Sequence, residues 1–363
     1  KTSVRFSITP HMNHRHSAEG SFVDLLMFEQ YLKGSYKLPQ TPKIKVDLKG
    51  DKNGPIITLK PDTSQEIDHV EIYYSQDPNG QFRFNRSAKV QKKGNVYVAS
   101  APITSTSLGF FAVANVYYKH PKELKLQGPR WNKNPADTYI ISTNIQKFEI
   151  DEVQQEKPAV TDKTTRMIQQ SFESDGKPDW YRYSQNELNT RKIRDPKWRG
   201  PIGAKLSIDI LDPVGENLIM VFEFNSYGKY DNRLAQGQFY TVIPVKASKN
   251  WQSIEIDVKD ILPLKNTRHG MPVDWQTLDH LTITNKISIR VDGKTQTVKS
   301  NPHYGKGRKM RNLQWIGGKY PSTILMNGGG LELSPAEYEK QFNEQIDVST
   351  DLEEKVDGLK KAK

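Results

Sequence analysis

The chain of 363 residues contains no cysteine. That excludes disulfide staples and every zinc site built on thiolates. No apolar run approaches the ~18 residues of a membrane-crossing helix. The chain lacks Gly-x-Ser-x-Gly, the strained turn that exposes a nucleophilic serine. It also lacks Gly-x-x-x-x-Gly-Lys-(Ser/Thr), the loop that cradles phosphates. Zinc-finger, basic-zipper and ribonucleoprotein patterns are absent as well. Acidic residues are in deficit: 42 Asp and Glu face 53 Lys and Arg, for a net charge of +11. Such a surface favours anionic partners, among them an acidic polysaccharide. The densest basic cluster, Lys306-Gly-Arg-Lys-Met-Arg311, is short. The charge is otherwise spread thinly, so nucleic acid is not an expected partner.

What the chain does have is aromatic mass: 16 Tyr, 13 Phe and 6 Trp. These rings supply large buried areas, so a folded protein is expected despite a mean hydropathy of −0.73. The length suits two or three domains.

Residues 1–38 pattern as strand, loop and helix. Val4, Phe6 and Ile8 alternate with Arg5 and Ser7, the period of a strand. Ser21 and Asp24 resemble a capping box. Phe22, Leu25, Leu26 and Leu32 follow helical spacing, and Gly34 is a suitable stop. Pro39 and Pro42 mark a linker.

Residues 39–150 read as an all-β domain. Strands are predicted at 43–49, 55–59, 69–75, 82–90, 95–101, 109–119 and 138–150, with Gly, Pro, Asn and Asp between them. That count and spacing suggest an immunoglobulin-like sandwich, without its Cys-Trp-Cys signature. Residues 151–163 are polar and predict a second linker. Residues 164–320 predict a larger, jelly-roll sandwich, with strands at 167–172, 205–211, 218–225, 238–245, 253–258, 278–284 and 287–291. Ser334-Pro-Ala-Glu337 opens a helix expected to reach about Gln345, so residues 321–363 form a helix and a charged tail. The expected fold class is mainly β.

Three places carry candidate chemistry. His11, His14 and His16 crowd the loop before the first helix. They suit a catalytic base, a metal site on one face of an extended segment, or a plain polar loop. Trp180, Tyr181, Tyr183 and Trp198 stand among Asp and Arg, a mixture suited to stacking on sugar rings and hydrogen-bonding their hydroxyls. Tyr227, Tyr230 and Arg233 form a second such cluster in a predicted loop. Against this, tryptophan in a sandwich is commonly structural, and Trp251, Trp275 and Trp315 read as packing residues. Glu173 and Asp175 could serve a structural calcium ion, although a full oxygen shell cannot be assembled from the sequence. No other cofactor is expected, and other metal ligands stay unassigned.

Pro10-His-Met-Asn-His14 and Phe28-Glu-Gln-Tyr-Leu-Lys-Gly34 resemble the C-terminal end of secreted bacterial serine α/β-hydrolases of the dienelactone-hydrolase, acetyl-xylan-esterase and prolyl-oligopeptidase-like groups. The resemblance implies that residues 1–38 close a catalytic domain, with His14, or His16 in the other register, as the triad base. It implies a nucleophile and acid upstream of Lys1, in a missing N-terminal catalytic domain, and a secreted or periplasmic location. The chain by itself would be catalytically incomplete. Asn250-Trp-Gln-Ser-Ile-Glu-Ile-Asp-Val258 and Asp274-Trp-Gln-Thr-Leu-Asp-His-Leu-Thr-Ile283 resemble galactose-binding-like jelly-roll modules. Many such modules bind carbohydrate and others only space or dock. The alternative implied for the whole chain is thus a non-catalytic carbohydrate-binding or scaffold protein.

Overall fold

The computed structural model describes residues 5–10, 17–77, 83–124, 136–172, 179–180, 187–226, 234–291, 293–300 and 307–320. The protein is mainly β, with several antiparallel sheets and few helices. It forms two compact units: Lys1–Pro78 with Phe84–Lys163, and Thr164–Lys363 with Asn79–Arg83.

The first unit carries α1 (Ala18–Phe28) and nine strands: β1 (Lys43–Asp51), β2 (Gly54–Lys60), β3 (Ile67–Ser75), β4 (Arg86–Ser87), β5 (Val90–Lys93), β6 (Val96–Ser100), β7 (Phe110–Lys119), β8 (Thr138–Ser142) and β9 (Gln146–Phe148). They form one sheet in the order β1-β2-β6-β5 and another in the order β4-β3-β7-β8, with β9 also paired to β7. Strand alternation sends Ile57, Leu59 and Ala99 from the first sheet, and Ile72, Phe110, Ala112, Ala114 and Val116 from the second, into one core. Phe22, Val23 and Leu26 of α1, and Leu38 beyond it, belong to the same core. The helix α1 and Leu38 therefore share one packed interior with the strands that follow.

Several local expectations change. The N-terminal strand reduces to a single bridge between Phe6 and Ser142. Ile8 gives its amide to the Ser142 hydroxyl at 2.8 Å rather than to a ladder. The helix starts earlier than Ser21: Ser17 is its cap, accepting from the Gly20 amide at 3.0 Å. It ends in a π-helical turn, Glu29–Lys33, closed by Gly34 at φ 65°. That wider turn rotates Leu32 off the core face and leaves it 75% exposed.

The strand predicted through 150 stops at Phe148, and the expected linker contains α2 (Ile150–Glu156). Here Glu149 and Glu152 form a reciprocal capping box, and Val153 reaches the core. Val153 alone of this helix is buried, which is why the segment reads as polar.

The second unit holds β10 (Met167–Ser171), β11 (Glu187–Thr190), β12 (Ile202–Leu211), β13 (Asn217–Phe224), β14 (Gln236–Pro244), β15 (Gln252–Ile256), β16 (Leu262–Arg268), β17 (Leu278–Thr284), β18 (Lys286–Val291), β19 (Lys294–Lys299) and β20 (Lys309–Lys319). Two sheets, β10-β20-β12-β15 and β11-β17-β13-β14-β16, enclose the core, and β18-β19 is a separate hairpin. Leu206, Ile208, Leu313 and Trp315 meet Met220, Phe222, Phe224, Phe239 and Leu281 across it.

Trp275 and Trp315 are buried, as expected, and each indole N–H has a carbonyl acceptor: Ala204 at 2.9 Å and Trp198 at 2.8 Å. Trp251 departs from its expected packing role. It is half-buried outside the core, with the Arg311 guanidinium 4.0 Å above its ring. The helix expected at Ser334 lies outside the described residues.

Candidate functional site

A concentrated polar arrangement lies on the β11-β17-β13-β14-β16 sheet of the second unit. On β13, Phe222 and Phe224 enter the core, so Glu223 between them faces the other way. Register places His280 of β17 on one side of Glu223 and Gln238 of β14 on the other. The next row outward aligns Tyr240, Val221, Thr282 and Asn189 across four strands. Six polar side chains thus share one sheet face.

They are fixed by one another. The His280 Nδ1 lies 3.6 Å from Glu223 Oε2. Ser226, just beyond β13, donates its hydroxyl to Glu223 Oε1 at 2.9 Å. Thr282 donates to the Asn189 side-chain oxygen at 2.7 Å. Burial pushes the Glu223 carboxyl up, but the bonds and charge of His280, with Ser226 and Gln238, outweigh it and hold the group at about 2. Glu223 is therefore an acceptor over the whole physiological range. Burial alone raises the Tyr240 phenol, so it stays a neutral donor.

A buried ion pair sets the geometry of this cluster. Arg194 binds Asp279 Oδ1, and both side chains are removed from solvent. The other oxygen, Asp279 Oδ2, accepts the Ser226 amide at 2.6 Å. Asn225, next to it, takes a left-handed conformation at φ 44°, and its amide donates to the Thr277 carbonyl at 2.8 Å. The pairing of β13 with β17 shifts register beside Asp279, so that Leu278 rather than Asp279 stands opposite Phe224. Arg199 braces the arrangement by donating to the carbonyls of Gln276, at 2.9 Å, and Arg194, at 2.7 Å.

In the first unit, Tyr73 and Tyr117 both donate to Glu71 Oε2 at 2.7 Å. Burial and the adjoining carboxylate push both phenols well above their ordinary range. This carboxylate oxygen is taken by two internal donors.

The residues selected from the sequence fall elsewhere. Trp180 is 7% exposed, packs edge-on against Phe172 at 5.1 Å, and gives its N–H to Gln169 at 3.0 Å. Its ring belongs to the core and offers no open face to a sugar. Trp198 is half-buried, with the Lys192 ammonium 4.5 Å and the Lys197 ammonium 5.2 Å from its ring centre. Lys192 also pairs with Asp179 at 2.7 Å. Tyr181, Tyr183, Tyr227, Tyr230 and Arg233, with His14, His16, Glu173 and Asp175, lie outside the described residues.

Glu223, Gln238 and His280 were legible only as members of strands. Their alternation with core residues was visible, but the pairing that aligns them spans distant segments.

Ser226 directs its hydroxyl to a carboxylate, so this is not the serine–imidazole pair of acyl transfer. Among the described residues, no group of three His, Asp or Glu side chains is placed to hold a metal ion. Likewise, no described helix is long and apolar enough to cross a membrane. The surface offers an ionised acceptor, amides, an imidazole and a phenol in fixed positions, a set suited to a polyhydroxylated ligand. Set against protein-family models and curated proteins, the chain matches none.

Proposed function

We propose that this protein binds carbohydrate through the second unit, a jelly-roll sandwich of the galactose-binding-like kind, beside an immunoglobulin-like first unit. The observation that carries the reading is the row Gln238–Glu223–His280, in which an ionised carboxylate stands between an amide and an imidazole. Vicinal hydroxyls of a sugar donate to such a carboxylate and accept from the amide and imidazole N–H groups. The neighbouring Tyr240 supplies a ring edge and a neutral hydroxyl.

Calorimetric titration of the full chain with neutral glycans tests the proposal. E223Q removes a charge-assisted bond and should weaken binding by roughly tenfold or more. H280A should weaken it to a similar extent. Failure to bind any neutral glycan, or affinity unchanged in both variants, overturns the reading.

A second reading keeps residues 1–38 as the end of a serine α/β-hydrolase, with His14 or His16 as base. Its support is that Thr9 and Ser17, which flank the histidine loop, hydrogen-bond at 3.2 Å and hold the two loop ends together before α1. An ester-hydrolysis assay on a polypeptide extended upstream of Lys1 reads it. H14A or H16A must abolish turnover, and activity that survives both substitutions removes the reading.

A further inference from the structure

The first unit presents a sheet face with an uncompensated row of lysines. On β1, Ile44, Val46 and Leu48 turn to the core, and Lys43, Lys45, Asp47 and Lys49 turn outward and are exposed. Register sets Lys43 directly opposite Lys60 of β2 and Lys45 opposite Thr58. Across the same face come Val98 of β6 and Gln91 of β5, with Lys93 at its end. Asp47, between Lys45 and Lys49, accepts the Gly50 amide at 3.2 Å.

Three other lysines of the unit have counter-charges: Lys33 pairs with Glu29, Lys119 with Glu66 and Lys147 with Glu149. Among the described residues, Lys43, Lys45, Lys49, Lys60 and Lys93 form no ion pair. Like charges directly opposite on a sheet are destabilising, so Lys43 facing Lys60 opposes folding unless an anion lies between them. Lysines on an edge strand also deter unwanted strand pairing. Lys60, however, sits on β2, an inner strand of the order β1-β2-β6-β5, where there is no edge to protect.

We propose that this face is a docking surface for an acidic polysaccharide. Alternate residues on a strand repeat every ~6.8 Å, so the ammonium groups form an extended, regular track rather than a pocket. A linear polymer with a carboxylate on each repeat fits such a track. The face carries no arginine, the residue whose fork matches phosphate bidentately. It also has no outward aromatic ring on which a base could stack, and no exposed large apolar residue that could enter a lipid interface. Point charges without stacking groups select a polyanion that has carboxylates and no bases.

The test is binding of the full chain to polygalacturonate at roughly 50 mM and 200 mM salt, with dextran and a single-stranded oligonucleotide as the other ligands. Polygalacturonate should bind, and affinity should fall with added salt. The triple variant K43Q/K45Q/K60Q should bind roughly tenfold more weakly, with a shallower salt dependence. These side chains are exposed, so circular dichroism of the variant should match that of the parent.

The triple variant, whose lysines lie outside the Gln238–Glu223–His280 row, should leave neutral-glycan affinity unchanged. Failure of one proposal is thus distinct from failure of the other. The inference is overturned if polygalacturonate does not bind at the lower salt, or if the triple variant binds it as the parent does. It is also overturned if, with the second-unit site disabled by E223Q, dextran or the oligonucleotide binds as tightly as polygalacturonate.

Discussion

Two sheets, one in each unit, treat charge differently. On the β1-β2-β6-β5 sheet, Lys43, Lys45, Lys49, Lys60 and Lys93 stand without counter-ions among the described residues. On the β10-β20-β12-β15 sheet, Lys205 pairs with Glu255 at 3.3 Å, and Arg311 reaches Asp209 at 3.4 Å while covering Trp251. The second unit also buries charge in pairs, Arg194 with Asp279 and Arg308 with Asp212. Both units use the same device, a strand alternating between core and solvent. The difference shows that the net charge of +11 says less than where its counter-charges are missing. Paired charges hold a fold together, and unpaired ones leave a surface that an outside anion can complete.

The largest effect is expected where pairing is most deeply buried. Asp279→Ala removes the carboxylate used by both Arg194 and the Ser226 amide. Loss of one partner of a buried pair costs about 3–5 kcal/mol. Denaturation followed by fluorescence should show the second unit unfolding earlier, with the transition of the first unit unmoved. A loss below about 1 kcal/mol would show that the second unit does not depend on its buried pairs.

The pattern of that ion pair also shows where sequence reading stops. The strand segments around Lys205, Leu218, Gln238 and Leu278 were legible because apolar residues alternate there. The longest strand, β20, was not: Asn312 at φ 52°, and Gly317 and Gly318 near φ 70°, interrupt its period, and its start reads as a basic cluster. The strand β16 opens with Leu262-Pro263-Leu264, where the proline argues against a strand, and β11 and β19 carry one apolar residue each.

Trp180 was selected as a ligand contact from its polar neighbours, yet packing against Phe172 decided its place. The close approach of Gly200 to Trp275, where a Cβ would lie 2.8 Å from that of the tryptophan, depends on segments about seventy-five residues apart. The pairing of Glu223 with His280 likewise joins distant segments, and periodicity along one segment carries no information about either.

Glu223 gives the next effect. Its carboxyl lies at about 2 in the fold against an ordinary 4.5. A depressed carboxyl contributes stability that is complete above the unfolded value and lost as pH falls through the folded one. The parent should therefore exceed E223Q by on the order of 2 kcal/mol at neutral pH, with the margin shrinking between about pH 4.5 and pH 2. Urea titrations across that range measure it. A margin that does not change with pH would mean that His280 and Ser226 leave the carboxyl unperturbed.

Val153→Ala tests whether α2 belongs to the first unit's interior. Val153 is the residue of that helix inside the core. Removing two buried carbons should cost about 1–2 kcal/mol, read as an earlier transition of the first unit alone. No change would return residues 151–163 to the linker that their polarity suggests.

The smallest effects give the sharpest contrast, because they differ in sign. Lys205→Ala leaves Glu255 on the surface without its partner and should cost at most about 0.5 kcal/mol. Lys43→Ala removes a like charge set directly against Lys60 and should add a few tenths of a kcal/mol. Both changes arise from exposed charges, so both should grow at low ionic strength and fade as salt shortens the screening length. Differential scanning calorimetry at two salt concentrations separates them. If both substitutions shift stability in the same direction at low salt, the lysines of the first unit have counter-charges after all, and the contrast between the two sheets fails.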